Sequence, residues 1–181
     1  MLSFKFHPMA SMRLVKLVSI VLGCLILNGL TTASASAQAN RKRIVIITSP
    51  ETTAIDCVSL DELKSIFAKR LFRVKGSEVI PVQRKPASEL RKAFNRLVLK
   101  ADEDQLKTYW IEEKLAGRES PPKTFDSINS VVAFLKKKPG AISYVCLDDL
   151  DEEKRREVQI IPVKVGKDKV APEDENYPLR Y

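Results

Sequence analysis

Arg84, Ser88 and Arg91 lie close together in a stretch that reads Val82-Gln83-Arg84-Lys85-Pro86-Ala87-Ser88-Glu89-Leu90-Arg91-Lys92-Ala93-Phe94. Guanidinium groups, a lysine and a hydroxyl around a helix start have the chemistry of oxyanion recognition. Free backbone N–H groups and the positive end of the helix dipole favour an anion there, and arginine offers paired donors that match phosphate or sulfate. Ser88 has two uses open to it: capping the helix, or donating its hydroxyl to a ligand. Glu89 complicates the picture. In a first turn it stabilises the helix through the dipole, yet it also places negative charge where an anion would sit.

The flanking segments indicate what positions these residues. Arg43 to Ser49 is a continuous apolar run, expected of a central strand covered on both faces. Pro50 to Cys57 reads as a polar loop, and Ser59-Leu60-Asp61-Glu62 as a capping box opening a helix with Leu60, Leu63, Ile66 and Phe67 buried. Val74 to Ser77 is a turn before a second strand, Glu78 to Gln83. The helix capped by Ser88 carries Leu90, Ala93, Phe94, Leu97 and Val98 on one face. Asp102 and Gln105 form another box, for a helix bearing Leu106, Tyr109 and Trp110 that ends at Ala116-Gly117-Arg118. Asp126 or Ser127 caps a third long helix, with Ile128, Val131, Val132 and Leu135 inward, and Lys136-Lys137-Lys138 and Pro139-Gly140 at its end. Ala141 to Cys146 reads as a buried strand, Asp148 to Glu157 as a short charged helix, and Val158 to Val165 as a last strand. Gly166 to Tyr181 reads as a polar tail with little to bury. Strands alternating with helices predict an α/β domain with a mainly parallel sheet flanked by helices, whose carboxyl rim is the place for a ligand. That rim would bring together Thr48-Ser49, Arg84 to Ser88 and Cys146 to Asp148.

Composition narrows the function. The one histidine, His7, lies within a segment that reads as a cleavable export signal over residues 1–39: Arg13 and Lys16, an apolar stretch from Leu14 to Leu30, then Ala37-Gln38-Ala39. The expected domains are therefore that signal, an α/β domain over residues 40–165, and the tail, in a protein destined for the periplasm or secretion. Cleavage would lower the net charge from +8 by three. No membrane span is expected to remain. Without histidine the processed chain lacks the usual base for a serine or cysteine nucleophile, and no nucleotide-binding or hydrolase motif is present, so no enzyme activity and no cofactor are expected. The acidic residues Asp148, Asp149, Asp151, Glu152 and Glu153 lack calcium-loop spacing, and no metal site is expected. The lysine run suits a helix C-terminus better than a nucleic acid. Cys57 and Cys146 remain after processing, open either to a disulfide between neighbouring strands or to two unrelated thiols.

From Ile44 to Val145 the order and spacing of segments resemble the phosphate-binding-protein-like family of type II periplasmic solute-binding proteins. The carriers are Pro121-Pro122-Lys123-Thr124-Phe125, the helix after it, the Pro139-Gly140 stop, and Gly140-Ala141-Ile142-Ser143-Tyr144-Val145. Leu60 to Phe67 and Trp110 followed by Gly117 add to it. In that family an arginine ends the second strand, a Ser-Gly-Thr loop follows, and the helix carries an arginine and a phenylalanine. Arg84, Ser88, Arg91 and Phe94 match; Glu89 and Leu90 replace the Gly-Thr. Thr48 and Ser49 resemble a position that gives the ligand a hydroxyl or amide, and also suit an ordinary turn before Pro50. The resemblance implies one lobe of a type II periplasmic-binding-protein fold that holds phosphate or a related oxyanion in ABC-type uptake or sensing. A second lobe, a dimer partner or an ABC permease would complete it. The alternative is a periplasmic protein–protein interaction module that has kept the lobe and lost the anion.

Overall fold

The computed structural model describes residues 41–181; the expected export signal lies outside them. The chain builds a five-stranded sheet in the order β6-β5-β7-β1-β8. The strands are β1 (Ile44–Thr48), β5 (Ile80–Arg84), β6 (Lys123–Phe125), β7 (Ala141–Cys146) and β8 (Gln159–Ile161). β5 is parallel to β6 and β7, whereas β1 is antiparallel to both β7 and β8. Four strands thus share one direction, and β1 runs against them.

Side-chain alternation across the sheet generates two cores. Ile44 and Ile46 of β1, with Ile142 and Tyr144 of β7, face helices α1 (Leu60–Phe67), α2 (Glu89–Phe94) and α3 (Glu103–Leu115). Phe94 stacks on Tyr144 with ring centroids 3.7 Å apart, and Phe67 meets both edge-on. Val45 and Ile47, with Val82 and Val145, face α4 (Ile128–Lys137) through Val131, Val132 and Leu135. The capping residues read from the sequence are used: Ser59 and Asp102 form reciprocal boxes with Glu62 and Gln105, and Ser127 caps α4. Gly140 takes φ +86°, and a Cβ there would lie 2.4 Å from the Glu78 carbonyl oxygen, so a glycine is required to leave α4 and enter β7.

Smaller elements complete the fold. β2 (Val58–Ser59), β9 (Val163–Val165) and β10 (Asp168–Val170) form a second sheet in the order β10-β9-β2. β3 (Arg73–Val74) and β4 (Ser77–Glu78) form a hairpin through Lys75 and Gly76, both at positive φ, as a two-residue turn between twisted strands demands. Leu147–Asp149 is a single 3-10 turn, and α5 (Glu152–Glu157) is the short charged helix.

Several expectations are corrected. The helix opened by Ser88 becomes a π-helix over Asn95–Leu99, whose wider turn rotates the inward face, so Leu99 rather than Leu97 joins the buried set. The single strand expected from Val158 to Val165 divides at Pro162, which lacks an N–H for the ladder and accepts the Val58 N–H through its carbonyl instead. Lys123–Phe125, expected only as a lead-in to α4, is the edge strand β6.

The tail is ordered. Leu179 is fully buried, and its carbonyl accepts from the Ile44 N–H at 2.8 Å; Lys42 and Tyr181 exchange backbone hydrogen bonds at 3.0 Å. The Tyr177 hydroxyl donates to the Ile44 carbonyl at 2.8 Å. These residues extend the pairing of β1 past the point where β8 turns away. Cys57 and Cys146 are unbridged. Of the two readings left open, unrelated thiols hold: the antiparallel register sets Cys146 opposite Ile44, the first residue of β1, and Cys57 leads into the other sheet.

Leu179→Ala should lower stability by about 2–5 kcal/mol, the cost of truncating a fully buried leucine, read as a fall in the urea midpoint. An unchanged midpoint would return the tail to the role of a loose appendage.

Candidate functional site

From β5 the chain moves outward to β6 and returns on the other side of β5 to form β7. The rim beyond the carboxyl ends of strands at such a reversal is the usual ligand position in sheets of this kind. Arg84 is the last residue of β5, on that rim. Its Nη2 donates to the Asp126 carbonyl at 3.1 Å, while Nε and Nη1 are covered and have no acceptor among the described residues. Burial pulls its guanidinium down from its ordinary value, opposed by Tyr144, Asp149 and Asp126 nearby; the side chain stays cationic throughout the working range of pH.

Ser88 and Arg91 are engaged differently. The Ser88 Oγ accepts from the Arg91 N–H at 3.3 Å and donates to the Lys85 carbonyl at 2.8 Å, which makes it a helix cap. Arg91 is only 7% exposed. Its Nε and Nη2 donate to the two oxygens of Glu103 at 2.6 and 3.2 Å, and its Nη1 donates to the Arg84 carbonyl at 2.9 Å. Asn95 adds a donor to Glu103 at 2.7 Å. Arg91 therefore fastens the end of β5 to the start of α3, and the expectation that it offers donors to an anion is corrected. Glu89 is exposed and paired with Lys92 at 2.8 Å, which neutralises the charge that weighed against an anion.

Thr48 and Ser49 are placed elsewhere. Because β1 runs against its neighbours, Thr48 lies opposite Ile142 at the amino end of β7, on the rim away from Arg84. The Thr48 Oγ1 donates to the Ala141 carbonyl at 2.8 Å, and Ser49 accepts from the Glu51 N–H in the turn that follows. Their hydroxyls serve turns and strand ends, and the expected rim of Thr48-Ser49, Arg84 to Ser88 and Cys146 to Asp148 is corrected in one respect: Thr48 and Ser49 lie on the opposite rim. Asp148 and Asp149 do reach the Arg84 rim, at the end of β7.

Two contributors were not singled out from the sequence. Glu103, the partner of Arg91, is the first residue of a separate helix, and no periodicity links the two. Tyr144 was read only as strand; its hydroxyl is buried without an acceptor among the described residues, and burial pushes its phenol well above the ordinary value, with Arg91 acting in the opposite sense. The alternation Ile142, Tyr144, Cys146 carries the signal that places this ring on the Phe94 face.

The two arginines should separate in a stability measurement. Arg91→Ala leaves a carboxylate and a carbonyl without their donors and should cost about 2 kcal/mol or more, whereas Arg84→Ala should cost less than about 1 kcal/mol. Urea unfolding of both variants checks this, and equal losses would contradict the division of roles.

No protein-family model matches the chain, and no curated protein matches it. Solved structures do. PstS from Borrelia burgdorferi aligns at 16% identity and a TM-score of 0.59 over 77% of this chain and 55% of its own length. A phosphate ABC transporter substrate-binding protein with bound phosphate from Clostridium perfringens aligns at 17% identity and 0.58, over 77% and 53%. An ABC-type phosphate transport receptor from Vibrio cholerae aligns at 14% identity and 0.57, over 77% and 54%. The chain spans about half the length of these structures, and at such identities the likeness is one of fold. The resemblance read from the sequence and the observed architecture coincide: this chain has the fold of the phosphate-binding, type II periplasmic solute-binding proteins, in an extent equal to one lobe.

Proposed function

We propose that this chain is an exported solute-binding lobe that holds phosphate or a related oxyanion at Arg84, in ABC-type uptake or sensing. The observation that carries the reading is the Arg84 guanidinium at the carboxyl end of β5, with two N–H groups lacking acceptors among the described residues. A half-buried arginine with unpaired donors is a poor structural element and a good anion ligand, since hydrogen bonds to a charged group are worth more than ordinary ones. Those donors are covered, so binding turns the guanidinium from the Asp126 carbonyl toward the rim. Ser88 and Arg91 act in support: one caps the helix behind the site, the other anchors the strand in front of it.

One arginine does not enclose an oxyanion. The remaining donors come from outside the lobe, from a second lobe, a dimer partner or a permease. The fold neighbours, of whose length this chain spans about half, include one solved with bound phosphate, which supports this reading of the ligand class. No group of three or more histidine, cysteine, aspartate or glutamate residues that could hold a metal occurs among the described residues. No helix among them is long and apolar enough to cross a membrane.

A specific observation favours a second reading. Ser88 and Arg91, two of the residues matching the family pattern, have their hydrogen-bonding groups closed within the fold. A lobe that has lost anion binding and retained a periplasmic protein partner would look the same at those positions.

Thermal unfolding of residues 40–181 with phosphate and with sulfate at fixed ionic strength separates the two. A ligand at about a hundred times its Kd adds roughly 2.7 kcal/mol, a rise of several degrees for a domain of this size. Phosphate should produce that rise in the wild type and none in Arg84→Ala. No rise in the wild type would mean that this lobe by itself does not hold phosphate, and the search would move to a protein partner.

A further inference from the structure

A groove of about 600 Å³ runs along α3 beside β5 and β6, its floor formed in part by Gln83 and Trp110. Gln83 is 1% exposed and Trp110 8% exposed, yet the Gln83 amide nitrogen and the Trp110 indole nitrogen have no acceptor among the described residues. A buried donor without a partner is costly, so two on one groove mark a place where an acceptor belongs. The walls are apolar: Ile111 is half exposed, and Pro121 and Pro122 face it. Lys107 and Lys114, two helical turns apart on α3, also line the groove.

We infer that this groove is a second binding site, for a small organic acid with an apolar body. The carboxylate accepts from Gln83 and Trp110, the hydrocarbon or ring portion lies against Ile111 and the prolines, and the two lysines supply attraction from the mouth. The volume falls within the range of small-molecule sites, and an apolar wall with a few polar groups is their usual composition. Inorganic phosphate fits poorly, since its oxygens outnumber the available donors. The guanidinium of Arg91 and the carboxylate of Glu103, which also line the groove, are bound to each other, and the Asp104 carboxylate on its lining is outweighed by Lys107 and Lys114. This site is separate from Arg84 and does not depend on the oxyanion reading.

Trp110 is the single tryptophan of the chain, so its indole N–H gives one isolated signal in a nitrogen–proton correlation spectrum. Isotope-labelled residues 40–181 would be titrated with hydrocinnamate, with hydrocinnamyl alcohol, and with phosphate. The expected result is a saturable downfield shift of the indole signal with hydrocinnamate alone. Gln83→Leu should weaken hydrocinnamate binding roughly tenfold, the effect of one hydrogen bond to a charged group. The double variant Lys107→Ala/Lys114→Ala, confined to the surface, should weaken it and make the residual affinity less dependent on salt. An unmoved indole signal at millimolar acid would overturn the proposal. So would an equal response to the alcohol, a response to phosphate, or wild-type affinity in both variants.

Discussion

β1 has no exposed face, and that constraint organises the molecule. Its five residues, Ile44–Thr48, are all buried. Ile44 and Ile46 complete the core under α1, α2 and α3, while Val45 and Ile47 complete the one under α4. At roughly 2 kcal/mol per buried aliphatic side chain, these residues contribute to both layers, as those of the adjoining β7 do. The ladder partners follow from the same requirement. β7 covers one edge over five residues, β8 covers the other over three, and the C-terminal residues take over where β8 stops. A strand so enclosed leaves no backbone group unpaired, which is why the polar tail is drawn into the fold.

The direction of β1 also decides where chemistry can occur. Running against the other four strands, it carries Thr48 and Ser49 to the rim away from Arg84, where their hydroxyls close turns. The working rim is left to the ends of β5, β6 and β7. There the two arginines divide the labour. Arg91 is held by Glu103 and holds the Arg84 carbonyl, giving the strand end a fixed position; the Arg84 side chain makes one hydrogen bond and keeps the rest of its donors. A binding arginine is most useful on a rigid element, and the ion pair behind it provides that rigidity.

The extent of the chain matters for the same site. The chain spans about half the length of its fold neighbours. In the reading proposed above, a single guanidinium on that rim is a contact to be completed by another lobe, another copy or a membrane partner. The groove along α3 is of another kind: its donors and walls all come from this chain.

Much of the fold was legible in the sequence because its signals are local. Capping residues, three- and four-residue apolar spacing and the Pro139-Gly140 stop act within one or two helical turns, and Ser59, Ser88, Asp102 and Ser127 cap as read. Arg84 was legible as the end of a strand before a capped helix. Local patterning says nothing about strand direction, so the reversal of β1, the dispersal of Thr48 and Ser49, and the separation of Cys57 from Cys146 were decided by tertiary pairing. Arg91 and Glu103 found each other across two helices for the same reason, and the spacing of Tyr177 and Leu179 among charges has no period that marks burial. By itself the sequence determined which segments are helix or strand and which side chains could bind an anion. Only the packed sheet decided which of those side chains remain unpaired, because a donor is free or engaged according to what the rest of the chain brings within about 3 Å of it.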